Sequence, residues 1–124
     1  QVTLVPQLIM QGLREHRITV LDGSPRRDWV YIGDLCTIIV DVLRKETTGI
    51  YNVGTGTSLS AIDVAQEIGN QLDVPVTDQK KGTNRSRDVV LDVAAIKEAI
   101  GWSPATTISE GLAKTIPWYK ENAR

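Results

Sequence analysis

The fold of this chain is decided by residues 21–35, which read LDGSPRRDWVYIGDL. Residues 22–25 predict a turn, because glycine allows a positive φ and proline fixes its own φ. The aromatic and β-branched residues 29–32 predict a short strand, and Asp34 is expected near the N-terminal end of the helix that follows. Arg27 and Asp28 lie between the turn and the strand, where charged side chains do not suit a hydrophobic core.

Composition limits the kind of protein this can be. The chain has 124 residues, enough for one domain with a hydrophobic core. Its 14 basic and 15 acidic residues nearly cancel, so charge gives no reason to expect binding to nucleic acid or to an anionic membrane. Its apolar runs are far shorter than the ~20 residues of a membrane-spanning helix. The single cysteine, Cys36, cannot form a disulfide within the chain and favours a reducing, cytoplasmic location.

Hydrophobic periodicity predicts a mixed α/β domain. Helices are expected at about residues 4–16, 34–45, 60–72, 93–100 and 107–122. Strands are expected at about residues 18–21, 29–32 and 50–53, and residues 75–77 fit a further short strand. Two helix starts carry capping-box pairs, Ser60 with Asp63 and Thr107 with Glu110. Pro117 is expected to kink or end the last helix, because it lacks a backbone N–H.

A glycine-containing turn at residues 54–56 invites comparison with dinucleotide-binding loops. The fingerprint G-x-G-x-x-G needs a third glycine so that the helix can pack closely on the strand, and here that position is Leu59. We therefore interpret the segment as a tight structural turn, and we expect no cofactor-binding residues in this chain.

Four motifs follow one another along the chain: Asp22-Gly23-x-x-x-Arg27-Asp28-Trp29-Val30-x-Ile32-x-Asp34-Leu35, Tyr51-Asn52-Val53-Gly54-Thr55-Gly56, Arg85-Ser86-Arg87-Asp88 and Gly101-Trp102-Ser103-Pro104. In this order they resemble the second half of extended short-chain dehydrogenase/reductases, and more narrowly of nucleotide-sugar epimerases, dehydratases and reductases. The resemblance implies that residues 1–124 form a small mixed α/β substrate-binding domain without the N-terminal Rossmann core. Gln1 runs straight into an apolar helical pattern without a start methionine, so we expect a fragment of a longer chain.

The resemblance also implies where the chemistry lies. Such enzymes bind NAD or NADP in the N-terminal half, which also supplies a Tyr-x-x-x-Lys acid/base pair. Here Tyr31, Tyr51 and Tyr119 all lack a lysine four residues on. We therefore expect neither catalytic residues nor a bound cofactor in this chain, and no oxidoreductase activity from it alone. One histidine and one cysteine also make a transition-metal site improbable.

The expected function is recognition of a nucleotide-diphosphate sugar. Arginine suits a diphosphate because its guanidinium donates two parallel hydrogen bonds. By resemblance, Arg27 contacts the diphosphate, and the segment with Arg85, Arg87 and Asp88 supplies a phosphate-binding arginine and an acid for a ribose hydroxyl. Arg87 stands where glycine is common, so the choice between Arg85 and Arg87 stays open. For each arginine the competing interpretation is a solvated surface charge.

Two further alternatives stay open. The leading hypothesis is the substrate-binding half of a nucleotide-diphosphate-sugar epimerase or dehydratase acting by NAD(P)-dependent hydride transfer. A non-catalytic nucleotide-sugar binding module, or a protein-interaction module of the same fold, is the alternative. The nucleotide, the sugar and the choice between NAD and NADP cannot be deduced.

The missing Rossmann half is expected to dock on the α-helical face formed by Val5, Leu8, Ile9 and Leu13, through which the chain alone should self-associate.

Overall fold

The computed structural model describes residues 3–81 and 88–122, which form a mixed α/β fold as predicted. The elements follow in this order: α1 (Leu4–Glu15), β1 (Ile18–Val20), β2 (Arg26–Arg27), α2 (Ile32–Arg44), β3 (Leu59–Ser60), α3 (Ala61–Leu72), β4 (Val76–Asp78), α4 (Ala94–Ile100) and α5 (Ile108–Asn122). In these two ranges no helix has the length and hydrophobicity needed to cross a membrane.

The strands form two small sheets. β1 and β4 pair in parallel, with Ile18 opposite Val76. β2 and β3 pair antiparallel, with Arg27 opposite Leu59, and Arg27 also forms an isolated parallel bridge with Val89. The second sheet therefore holds the turn, the start of α3 and the segment after residue 88 together.

The larger hydrophobic core lies between α1, β1, α3 and α5. Its buried members are Leu8, Ile9, Ile18, Val20, Val64, Ala65, Ile68, Leu112 and Ile116. The prediction that the apolar face of α1 is exposed is wrong, because Leu8 is 4% exposed and Ile9 is fully buried. Val5 and Leu13 pack against the same core, so this face belongs to the chain's own interior and is not an open docking surface.

A second, smaller core lies between α2 and α4. Ile38, Ile96, Ile100 and Trp102 are buried in it. The side chains of Val30, Leu35, Val42, Tyr51, Val53 and Val93 pack around them. The chain thus folds around two apolar clusters, with residues 28–34 running from one to the other.

Two predicted strands are absent as regular elements. Residues 29–32 do not pair: the strand lies earlier, at Arg26–Arg27, and α2 begins at Ile32. Trp29 packs against the larger core and Val30 against the smaller one, so these residues connect two cores and do not join one sheet. Residues 50–53 are irregular, although Tyr51 and Val53 do pack inward. The short strand expected at 75–77 is confirmed as β4.

The helix-end signals are confirmed. Ser60 and Asp63 form a reciprocal capping box at the start of α3, and Thr107 and Glu110 bond reciprocally before α5. Gly101 ends α4 with a φ of 73°. Pro117 does not end α5, which continues to Asn122.

Candidate functional site

The candidate site is built around β2, where the turn at residues 22–25 enters the second sheet. The backbone N–H of Arg26 donates to Oδ1 of Asp88 at 3.0 Å, and its carbonyl accepts from the N–H of Val89 at 3.1 Å. Arg27 is half-buried, and its Nη1 donates to the carbonyl of Arg26 at 2.7 Å. The structure therefore brings Arg27 and Asp88 side by side, although they lie far apart in sequence.

The other two predicted arginines, Arg85 and Arg87, lie outside the described residues. The described residues resume at Asp88, which is exposed and lies next to β2. The geometry thus locates one predicted arginine and the predicted acid.

Asp28, the residue after Arg27, holds the turn at residues 54–56. Its Oδ1 accepts from the N–H and the hydroxyl of Thr55 at 2.7 and 2.6 Å. Its Oδ2 accepts from the N–H of Gly56 at 2.9 Å and more weakly from that of Leu91 at 3.4 Å. Burial by itself raises the pKa of this carboxyl, but the hydrogen bonds together outweigh it and hold the pKa below 3.8. Asp28 is therefore a charged anchor at neutral pH.

The two glycines of that turn are explained by this contact. A Cβ on Gly54 would lie 2.7 Å from Oδ2 of Asp28 and 2.9 Å from a methyl of Leu91. Gly56 has a φ of 72°, which favours glycine. Because Asp28 already occupies the N–H groups of Thr55 and Gly56, this turn does not fit the phosphates of a dinucleotide.

Arg26 has a structural role that sequence reasoning missed. Its Nε donates to the hydroxyl of Ser58 at 3.0 Å and its Nη2 to the Ser58 carbonyl at 2.7 Å. Its Nη1 lies 3.9 Å from the carboxylate of Asp63 in α3. Arg26 is therefore hydrogen-bonded to Ser58, although its side chain remains 43% exposed.

Asp34 makes a second anchor that the sequence only partly indicated. Asp34 is 8% exposed, and its carboxylate accepts from the N–H groups of Ala105 and Thr106 at 3.2 and 3.0 Å. It also accepts from the hydroxyl of Thr106 at 2.9 Å. The first turn of α2 is thereby fixed to the loop before α5, an attachment that the capping pattern alone does not predict.

A groove of about 740 Å³ lies beside this site. It runs between α1 and β1 and ends at Leu21 and Asp22, at the start of the turn that leads to Arg27. Its walls combine apolar side chains, such as Leu4 and Leu8 of α1, with polar ones such as Gln11 and Arg14. A smaller cavity of about 400 Å³ lies among aromatic side chains that include Trp29, Tyr31 and Tyr119.

Comparison with known proteins shows the family to which the chain belongs. A model of the family described as GDP-mannose 4,6 dehydratase matches residues 1–115. The chain belongs to this family. Its membership confirms the resemblance to extended short-chain dehydrogenase/reductases of the epimerase and dehydratase group.

Two curated relatives of this GDP-mannose 4,6-dehydratase family member are named as nucleotide-sugar dehydratases. The chain is 33% identical over 133 residues to dTDP-glucose 4,6-dehydratase of Xanthomonas campestris, covering 96% of this chain and 38% of the relative. It is 34% identical over 125 residues to a trifunctional UDP-glucose 4,6-dehydratase, epimerase and reductase of Arabidopsis thaliana, covering 96% of this chain and 18% of that protein. The chain therefore spans well under half the length of these relatives.

Solved structures agree with this assignment. The dTDP-glucose 4,6-dehydratase of Bacillus anthracis, determined in complex with NAD, is 26% identical and aligns with a TM-score of 0.83. The alignment covers 97% of this chain and 39% of that enzyme. This family member thus has the fold of a part of such an enzyme.

Proposed function

We propose that this chain is the substrate-binding portion of a nucleotide-diphosphate-sugar dehydratase or epimerase that acts by NAD(P)-dependent hydride transfer. The proposal is supported by its family and by relatives that are named dTDP-glucose and UDP-glucose 4,6-dehydratases. In this proposal the cofactor site and the proton-transferring tyrosine belong to the part of the longer protein outside these residues. The chain alone is then inactive as an oxidoreductase.

The observation that carries the proposal is the position of Asp88 against β2, the strand that contains Arg27. Arg27 offers a planar, permanently charged guanidinium that can donate two parallel hydrogen bonds to a diphosphate. Asp88 bonds Arg26 through one carboxylate oxygen, and a carboxylate accepts several hydrogen bonds. A ribose hydroxyl can therefore donate a hydrogen bond to the Asp88 carboxylate while the adjacent diphosphate accepts hydrogen bonds from Arg27.

Three further elements complete the proposal. Arg85 or Arg87 supplies a second cation for the diphosphate, since both precede Asp88 closely in sequence. The exposed thiol of Cys36 suits a reducing compartment, so the proposed location is the cytoplasm. The chain by itself is proposed to self-associate, because large apolar side chains are exposed on its surface.

The test is calorimetric titration of dTDP-glucose, UDP-glucose and GDP-mannose into the longer protein and its Arg27 variants. Arg27→Ala is expected to lower the affinity for the best ligand by about ten- to a hundred-fold, because charge-assisted hydrogen bonds contribute about 1.5–3 kcal/mol. Arg27→Lys should recover only part of this loss, since an ammonium cannot donate in a planar pair. Arg44→Ala, which removes an exposed arginine at the end of α2, is the matched control for net charge.

Each outcome separates the hypotheses. Unchanged affinity in Arg27→Ala, with normal affinity in the control, would make Arg27 a surface charge and contradict the proposed site. Binding of a sugar nucleotide without any consumption of it in the presence of NAD or NADP would favour the non-catalytic binding module. Failure of all three ligands to bind the longer protein would reject the proposed substrate class.

A further inference from the structure

The turn at residues 22–25 is bound to the end of β4 by the carboxylate of Asp78. The backbone N–H of Gly23 donates to Oδ1 of Asp78 at 3.2 Å. The same oxygen accepts from the N–H of Lys80 at 2.9 Å, which fixes the direction of the carboxylate. Asp78 is the last residue of β4, lies opposite Val20 of β1 and is partly buried. This side chain therefore joins the turn to a strand that is distant in sequence.

The other side of the turn lies against the start of α3. The carbonyl of Gly23 accepts from the N–H of Ile62 at 3.0 Å, and the carbonyl of Pro25 accepts from the N–H of Ala61 at 2.9 Å. A Cβ on Gly23 would lie 2.6 Å from Cβ of Ile62 and 2.7 Å from Oδ2 of Asp78. Gly23 is thus held between the helix and the carboxylate with no room for a side chain, and its backbone takes its position from both.

A short and stiff segment connects Gly23 to Arg27. Residues 24–26 separate the two, and Pro25 has a fixed φ. At the far end of the segment, the N–H of Arg26 donates to Asp88 at 3.0 Å. Because few backbone torsions remain free between these points, a turn released at Gly23 would let the strand residue that follows sample more positions.

We infer that Asp78 is a positioning residue for the proposed diphosphate site: through Gly23, its carboxylate holds the turn that places the Arg27 guanidinium. The inference rests on the proposed function, since it needs Arg27 to contact the ligand. It assigns Asp78 the role of a hydrogen-bond acceptor and not that of a charge. A negative charge near a diphosphate would by itself lower affinity by repulsion, so the two roles predict effects of opposite sign when the side chain is removed.

Two variants of the longer protein separate these roles, because both remove the charge and only one removes the acceptor. In Asp78→Asn the amide oxygen can take the position of Oδ1 and keep the bonds to Gly23 and Lys80. In Asp78→Ala both bonds are lost. Asp78→Asn is therefore the matched control for the loss of charge.

The assay is calorimetric titration with whichever of dTDP-glucose, UDP-glucose and GDP-mannose binds the longer protein most tightly. Asp78→Ala is expected to lower this affinity about tenfold, because binding must then also order the turn. Asp78→Asn is expected to restore the affinity to within about twofold of wild type, since the acceptor is back in place. Melting temperatures recorded alongside show that each variant is folded at the temperature of the titration.

Coupling to Arg27 provides a second measurement. If Asp78 acts through Arg27, then adding Asp78→Ala to the Arg27→Ala protein should change its affinity by less than about twofold, because the guanidinium to be positioned is absent. A residue that only stabilises the fold would lower the melting temperature without this dependence on Arg27.

Three results would overturn the inference: wild-type or higher affinity in Asp78→Ala, an equal loss in Asp78→Asn, or a tenfold loss that persists in the Arg27→Ala background. If Asp78→Ala does not fold, Asp78→Glu replaces it, because it keeps the charge but moves the carboxylate by one methylene. The positioning role then predicts lower affinity, and wild-type affinity would contradict it. Unchanged affinity in Arg27→Ala would reject the proposed site together with this inference, whereas a loss in Arg27→Ala with none in Asp78→Ala would reject this inference alone.

Discussion

Replacing Asp28 with Asn is the sharpest test of how the candidate site is held. The substitution keeps the shape of the side chain but replaces one carboxylate oxygen with an NH₂ group. If the amide oxygen takes the position of Oδ1, it keeps both bonds to Thr55. The NH₂ group then faces the N–H groups of Gly56 and Leu91, which are 2.9 and 3.4 Å from Oδ2 in the wild type.

The expected cost is about 2 kcal/mol of unfolding free energy. A donor that loses its acceptor costs about 1–3 kcal/mol when buried. Of the two hydrogen bonds to Oδ2, only the one from Gly56 is short. Asp28 is also half-exposed, so water can replace part of the lost hydrogen bonding. For a domain of this size, about 2 kcal/mol lowers the melting temperature by about 5–10 °C.

The same substitution should change how stability depends on pH. The pKa of Asp28 in the folded chain lies below its ordinary value of 3.8, so its contribution is complete above that value. The contribution is lost as the pH falls through the folded pKa. The difference in stability between wild type and Asp28→Asn should therefore be constant near neutral pH and shrink below about pH 4.

Urea denaturation of wild type and variant between pH 3 and pH 7, as chosen assay conditions, measures both effects. Glu98→Gln, which neutralises an exposed carboxylate on α4, is the matched control. Equal stability of Asp28→Asn and wild type at neutral pH would refute the assignment of Asp28 as an anchor. A stability difference that persists unchanged in acid would refute the role of its charge.

Two glycine substitutions should also destabilise the chain. Gly54→Ala places a methyl group against the Asp28 carboxylate and should cost about 1–3 kcal/mol, with a lower urea midpoint as the measurement and an unchanged midpoint as the contradiction. Gly69→Ala places a methyl group against Cγ2 of Val76, so it should destabilise α3 on β4 even though alanine favours a helix by about 1 kcal/mol. A higher melting temperature for Gly69→Ala would contradict this packing.

The helices could be predicted because their signals are local. Each has an apolar stripe at helical spacing, and each predicted boundary lies within two residues of the observed one. The capping pairs at Ser60 and Thr107 and the terminating Gly101 fixed several ends. The exposure of a stripe could not be predicted in the same way. The stripe of α1 is buried, whereas α2 has a second stripe that the periodicity of its inner face concealed.

The strands were harder because their partners are distant in sequence. A strand was predicted from the β-branched and aromatic character of residues 29–32, but those side chains serve two different cores. β2 and β3 contain only two residues each, too few to show an alternating pattern. Their pairing is fixed by contacts such as that of Arg26 with Asp88, which no local pattern records.

At the candidate site, the sequence named individual residues but did not show how they are connected. Arg27 and Asp88 were named from motifs, and the structure places Asp88 against the backbone of β2, the strand that contains Arg27. Asp28 accepts the backbone N–H groups of Thr55 and Gly56. These donors belong to the turn at residues 54–56, which the sequence analysis compared with a dinucleotide-binding loop. Only the fold shows that this turn contacts Asp28.

The segment after Arg27 explains why a ligand site at this position would be preorganised. Asp28 fixes the 54–56 turn, Trp29 packs into the larger core and donates to the carbonyl of β3, and Val30 packs into the smaller core. Asp34 then fixes the start of α2 to the loop before α5. The backbone on the C-terminal side of Arg27 is thus held by both cores. A ligand at Arg27 would therefore meet a backbone that is already held in place, which reduces the entropic cost of association.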